Sequence, residues 1–216
     1  MEKPIRSAAA FDFDGTLIRG DSIVQLVQFG LKKGKLGLPE ALWAALAGGL
    51  YHLHFVGEMT AKRAGQRFLS CMDTAEREAF LQDFAALICA KIRPQGMETI
   101  KEHQRRGDAV ILCSASCACY MRHVAQYLGV DALLCTSADA LGQPQPPNCK
   151  RGEKVRRITQ WLKEQGSDIS VLTAAYGDSA GDVQMLSACQ KPVLVHPKRA
   201  LRRAFSQAER VYWPEP

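Results

Sequence analysis

The chain has 216 residues, of which 47% are hydrophobic, 23% charged and 7% aromatic, and its 28 Lys and Arg against 22 Asp and Glu leave a net charge of +6. That balance excludes a disordered chain and a string of domains, and fits one core domain with a sizeable insertion. The positive excess suits an anionic small molecule, a nucleic acid or an acidic membrane surface, and does not choose among them.

The start, Met1-Glu2-Lys3-Pro4-Ile5-Arg6, carries no apolar stretch of signal-peptide length, which predicts a cytoplasmic protein. Residues 8–13 then form a short apolar run of the kind found in a buried parallel strand, and it ends in Asp12-Phe13-Asp14-Gly15-Thr16. About eighty residues without a convincing strand follow, with helical periodicity over residues 22–31, 40–53, 60–69 and 74–89. This pattern predicts an inserted helical unit. Residues 41–56, around Trp43, hold no Asp, Glu, Lys or Arg, yet they fall short of the roughly 20 residues a bilayer demands. A buried helix is expected there, with no stable membrane insertion.

Further apolar runs at 109–113, 170–176 and 192–195 alternate with helical patterns, so the fold class expected is α/β: a Rossmann-like parallel sheet flanked by helices. Eight cysteines without an export signal predict reduced thiols. Cys113, Cys117 and Cys119 lack a second Cys or His pair at zinc-site spacing, and read as small packing residues. Lys198-Arg199-Ala200-Leu201-Arg202-Arg203 reads as a solvated basic helix face without interleaved aromatics, so no nucleic-acid partner is expected.

The chemistry gathers where the apolar runs end. Asp12 and Asp14 stand where a strand meets a turn that Gly15 permits, and two close carboxylates call for a divalent cation or a shared proton. With the charge offset, one Asp can attack phosphorus while the other moves the leaving group's proton. Gly177-Asp178-Ser179-Ala180-Gly181-Asp182 ends the third run in the same way; Asp178 and Asp182 can approach one hard cation, although helix capping alone would account for Ser179 or Asp182. Ser114 ends the second run, where its hydroxyl and the backbone N–H groups beyond it can hold phosphate oxygens. Lys154, at the start of the helix before the third run, can neutralise phosphate or the attacking carboxylate, with Lys150 as its rival.

In their order these four elements resemble the haloacid dehalogenase superfamily, specifically its phosphoserine-phosphatase-like branch. The resemblance spans Asp12 to Asp182 and implies an Mg²⁺-dependent phosphatase working through an aspartyl phosphate, with a helical cap inserted after the first motif. It divides the chain into a catalytic core of residues 1–20 and 93–216 and a cap of residues 21–92. Carried over by motif, Asp12 is the nucleophile and Asp14 the general acid and base, with its backbone carbonyl on the metal; Ser114, Ala115 and Lys154 hold the phosphoryl group, and Asp178 binds Mg²⁺ with support from Asp182. Asp14 argues against a true dehalogenase, which lacks that second carboxylate.

The branch commonly carries a Glu nine residues after the nucleophile, paired with a substrate amine, where this chain has Asp21. It usually continues the second motif with two glycines, where this chain has Ala115-Ser116, whose side chains narrow the space. In the cap, Arg63 and Arg67 lie one helical turn apart and can meet a substrate carboxylate or second phosphate. The leading expectation is hydrolysis of a small cytosolic phosphate monoester. A lipid-phosphate phosphatase is the runner-up among enzymes. The non-enzymes to exclude are an aspartate-phosphorylated receiver, whose acidic pair precedes the acceptor strand, and a catalytically silent binding protein.

Overall fold

The computed structural model describes residues 4–216, so Met1, Glu2 and Lys3 of the opening segment lie outside the described residues. Ala8, Ala9, Ala10 and Phe11 are all fully buried, and a run apolar on both faces belongs in the middle of a sheet. There it forms β1 (Ala8–Phe11), flanked by β2 (Ala109–Cys117) and β4 (Leu172–Gly177). With β3 (Ala132–Thr136), β5 (Lys191–Val195) and β6 (Glu209–Val211), the order is β3-β2-β1-β4-β5-β6, every pair parallel. This is the Rossmann-like α/β arrangement that the alternating pattern predicts.

Four helices separate β1 from β2 before the chain returns to the sheet: α1 (Ser22–Lys32), α2 (Leu38–His52), α3 (Glu58–Gln66) and α4 (Thr74–Cys89). Asp21 caps α1 by accepting from the Ile23 N–H, and Asp73 caps α4 by accepting from that of Glu76. The return passes through α5 (Pro94–Arg106), and the later crossovers are α6 (Ala118–Leu128), α7 (Gly152–Glu164), α8 (Val183–Ala188) and α9 (Arg199–Ala204).

Strand alternation divides the core between two faces. Ala8 and Ala10 point with Ile111 and Cys113 to the face covered by Ile158, Leu162 and Leu186; Ala9 and Phe11 point with Leu112 to the other. That second cluster runs on without a break into the inserted helices. Phe84 of α4 meets Tyr120 of α6 edge-on at 5.3 Å, and Phe29 and Phe80 extend the stack into α1 and α4. Arg93, just before α5, ties the two crossings between sheet and insertion together. Its guanidinium donates to the carbonyls of Gly15 (3.0 Å), Thr16 and Ile18 (3.1 Å), and its N–H to that of Leu17 (2.9 Å).

Several expected boundaries move. β1 stops at Phe11 because the chain turns at Phe13, whose carbonyl accepts from the N–H groups of Thr16, Leu17 and Ile18. The run expected from residue 170 starts at Leu172, since Ile169–Val171 forms a 3-10 turn capped by Asp168. β2 continues past Cys113 to Cys117 with a register shift between Ser114 and Cys117. The helix expected over residues 60–69 ends at Gln66, and Arg67–Cys71 tightens into a 3-10 helix. β3 and β6 had no sequence signal strong enough to mark them; β6 has three residues and Glu209 and Arg210 in it are exposed.

Candidate active site

Parallel pairing sets the site. Phe11 lies opposite Leu112 on one side and Tyr176 on the other, so Asp12, Ser114 and Asp178 emerge together from the carboxyl ends of three adjacent strands. Asp12 is buried, and both its oxygens are engaged: Oδ1 accepts from Lys154 Nζ at 2.6 Å and Oδ2 from the Thr16 hydroxyl at 3.0 Å. Lys154 is 1% exposed and reaches across to Asp182 Oδ1 at 2.7 Å as well. Asp182 Oδ2 accepts from the Ser179 N–H and hydroxyl, a reciprocal cap that fixes the loop after β4. Burial pushes the Asp12 carboxyl well above the usual carboxylate range, with Asp182 adding to it and Lys154 opposing. Burial opposes the charge on Lys154, but Asp12 and Asp182 outweigh it and keep the amine firmly protonated.

Ser114 is buried, and its Oγ accepts from the Ser116 N–H at 3.0 Å across the register shift in the last residues of β2. Asp14 turns away from Asp12 toward the insertion. Its Oδ1 accepts from the Ser22 N–H at 2.7 Å, and Oδ2 from the hydroxyls of Ser22 (3.0 Å) and Ser116. Tyr120 completes this net by sharing a 2.9 Å hydrogen bond with Ser22 Oγ. Burial, with Asp21 second, raises the Asp14 carboxyl to about 7 against the hydrogen bonds from Ser116 and Ser22. Asp14 therefore carries a proton part of the time near neutral pH.

Eight of the ten expected residues, Asp12, Asp14, Asp21, Ser114, Ala115, Lys154, Asp178 and Asp182, line one cleft of about 160 Å³. Arg63 and Arg67 do not. Arg63 is exposed and donates to the Pro144 carbonyl at 3.3 Å, and Arg67 is exposed past the end of α3. The face of α3 turned to the cleft is Glu58, Lys62 and Gln66. Spacing of four makes that stripe readable in a helix, and choosing Arg63 over Lys62 missed it by one residue, about 100° of rotation.

Lys62 Nζ donates to the Ala115 carbonyl at 2.8 Å and Asn148 Oδ1 at 2.7 Å, and pairs with Glu58 at 3.1 Å. Lys150, the rival to Lys154, belongs to this network, donating to Glu58 at 2.9 Å. Burial would push Glu58 up, but Lys62 and Lys150 hold it down at about 2. Gln66 is 1% exposed, and among the described residues its amide has no regular hydrogen-bond partner, only an interaction with the Cys117 thiol. Lys198, just before α9, is no bystander on a basic face: its amine reaches Asp178 Oδ2 at 2.7 Å. Burial raises the Asp178 carboxyl and Lys198 opposes that rise.

The donor set fits Mg²⁺. Asp12, Asp178 and Asp182 are buried with one oxygen of each inside a 4.8 Å span, a hard, all-oxygen cluster. Gly15 keeps the cradle open: its φ is +83°, and a Cβ there would lie 2.3 Å from Asp178 Oδ2. The Asp14 carboxylate is outside the cluster, so its side chain is not one of the clustered oxygens.

Residues 9–187 match the family model for the haloacid dehalogenase-like hydrolases. A histidinol-phosphatase of Neisseria meningitidis is 25% identical over 97% of this chain and 98% of its own. A protein of unknown function from Bordetella pertussis superposes with a TM-score of 0.87 at 25% identity, over 96% of this chain and 98% of that one. A probable phosphoserine phosphatase from Vibrio cholerae shares the fold with a TM-score of 0.73 at 15% identity, over 98% of this chain and 63% of that one. With its six-stranded parallel sheet, its inserted helices and its acidic strand ends, this chain belongs to the haloacid dehalogenase-like hydrolases.

Proposed function

We propose that the protein is an Mg²⁺-dependent phosphatase that hydrolyses small-molecule phosphate monoesters through a phosphoaspartate on Asp12. The observation that carries this is the pairing of a buried, doubly held Asp12 with a separately held Asp14 whose carboxyl keeps a proton to near 7. Thr16 and Lys154 fix the Asp12 carboxylate for attack on phosphorus. As the P–O bond to the leaving group breaks, Asp14 gives it a proton; the resulting Asp14 carboxylate then takes one from water, which attacks the phosphoaspartate and releases inorganic phosphate. Ser114, the Ala115 N–H and Lys154 hold the transferred oxygens. Asp12, Asp178 and the Asp14 backbone carbonyl, with support from Asp182, would hold Mg²⁺, which would supply charge to balance the anionic group.

In this reading residues 21–92 cap a core formed by 1–20 and 93–216. Asp21, Glu58, Lys62 and the Gln66 amide face the leaving group; Arg63 and Arg67 have no part in it. The N. meningitidis relative named as a histidinol-phosphatase supports a monoester substrate. The test is phosphate release from an aryl phosphate with Mg²⁺, alone and in excess chelator, alongside Asp12→Asn. Loss of turnover in both is expected, and full turnover in chelator or a phosphate label trapped on the Asp12→Asn protein would overturn the reading.

A further inference from the structure

The catalytic cleft runs on into a larger hollow, a trough of about 900 Å³ bordered by α1 and α2. Asp21, Ile23, Glu58, Lys62, Lys150 and Lys198 line both, so the trough opens onto the place where phosphate is to sit. Past this charged mouth the walls carry Val24, Val27 and Leu31 of α1 and Leu38, Leu42 and Ala45 of α2. Leu38 is 73% exposed and Leu42 70%, a cost in water that a ligand seated between the helices would relieve. Gly48 and Gly49 also line the trough, and a Cβ on either would meet nothing within 4 Å. Gly65 of α3 presses against α1, where its Cβ would come within 3.2 Å of Ile23.

Size decides what belongs there. The cleft alone, at about 160 Å³, has room for a phosphate and little more; small-molecule sites run to roughly 300–1,000 Å³. The trough brings the site into that range, and it does so with apolar surface. We propose that the trough is the subsite for an apolar chain on the leaving group, so that the preferred substrate is the phosphate monoester of an amphiphilic alcohol. This rests on the phosphatase reading above. The polarity runs the right way for such a ligand: charge gathers at the inner end, where its anionic head is processed, and aliphatic side chains line the way outward. A second copy of the chain seated on α2 would bury the same leucines but stop the mouth of the cleft.

The test uses alkyl phosphonates, whose C–P bond resists hydrolysis, bound calorimetrically to the full chain with Mg²⁺. Each buried methylene should tighten binding about three- to fourfold, so octyl phosphonate should bind about 80- to 250-fold tighter than butyl phosphonate. Leu42→Asp, and Gly48→Leu, which fills the trough while favouring the helix, should each cut that ratio to below about tenfold. Gly48→Leu guards against a loss that is only unfolding, as the thermal midpoint of each variant will show. Turnover of the matching alkyl phosphates, and of diacylglycerol phosphate in phosphatidylcholine vesicles, shows whether the chain enters from water or from a bilayer. Binding that ignores chain length overturns the proposal, as does a dimer that closes the trough and dissociates with Leu42→Asp. Length-dependent binding with no turnover of any ester would uphold the trough and overturn the phosphatase reading instead.

Discussion

Lys154→Met separates the two lysines that the sequence leaves in competition. Lys154 is 1% exposed and bonds two buried carboxylates, at 2.6 Å to Asp12 and 2.7 Å to Asp182. Removing one partner of such a buried set leaves uncompensated charge and costs about 3–5 kcal/mol. For a chain of this size that lowers the thermal midpoint by roughly 6–20 °C. Lys150, whose side chain is 32% exposed, donates to a half-buried Glu58 and to the Tyr51 hydroxyl, so Lys150→Met should cost about 0–1 kcal/mol. The deficit of Lys154→Met should also depend on pH. Asp12 in the fold already holds its proton well above the usual 3.8, and a folded value above the unfolded one contributes stability at low pH that is lost as pH rises. The variant should therefore be least impaired near pH 4 and fall further behind toward pH 8. The assay is urea unfolding of both variants across that range without metal, with aryl phosphate turnover in Mg²⁺ alongside. A deficit equal to that of Lys150→Met, or one unchanged by pH, would refute the assigned role.

Gly15→Ala should lower stability by about 1–2 kcal/mol from the left-handed backbone alone, and more from its clash with Asp178; turnover at the wild-type level would show that the loop can yield. Glu58→Gln probes the contact between α3 and the core: the folded value near 2 lies below an ordinary 4.5, so the stabilisation is complete above 4.5 and lost as pH falls through 2. Discounted for solvent screening, the wild type should exceed the variant by about 1–2 kcal/mol at pH 6 and match it near pH 2, and a gap that widens in acid would count against the pairing. Lys62→Met should reorder a panel of phosphate esters, while Arg67→Ala, outside the cleft, should leave the order as it is; the reverse result would return Arg67 to the site.

What could be read in advance follows from how far local pattern constrains position. Asp12, Ser114 and Asp178 each end an apolar run, and parallel pairing of such runs brings their ends together whatever the loops do. Lys154 was legible ahead of Lys150 from its spacing of about one helix and one turn before Asp178, and it is the Lys154 amine that reaches Asp12, while that of Lys150 goes to Glu58. The inserted helices were legible as helices and not as faces. α2 is apolar almost all round, so periodicity gives it no inward side, and the end of α3 at Gln66 takes Arg67 off the helix that would have aligned it with Arg63. Lys198 sits in a run that reads as solvated surface, and only the return of the chain beside β4 brings its amine to Asp178.

The guanidinium of Arg93 has a mechanical meaning. The chain passes into the inserted helices after Ile18 and comes back at Arg93, and the side chain at the point of return holds three carbonyls of the outgoing turn. Gly15 and Thr16 are among them, next to Asp12 and Asp14. The two connections between the sheet and α1–α4 thus share one anchor, a single residue at the return bonded to the segment that leaves. Because Asp14 is itself bonded to Ser22 at the start of α1, that anchor and the entry to the first inserted helix together hold the turn that carries both aspartates.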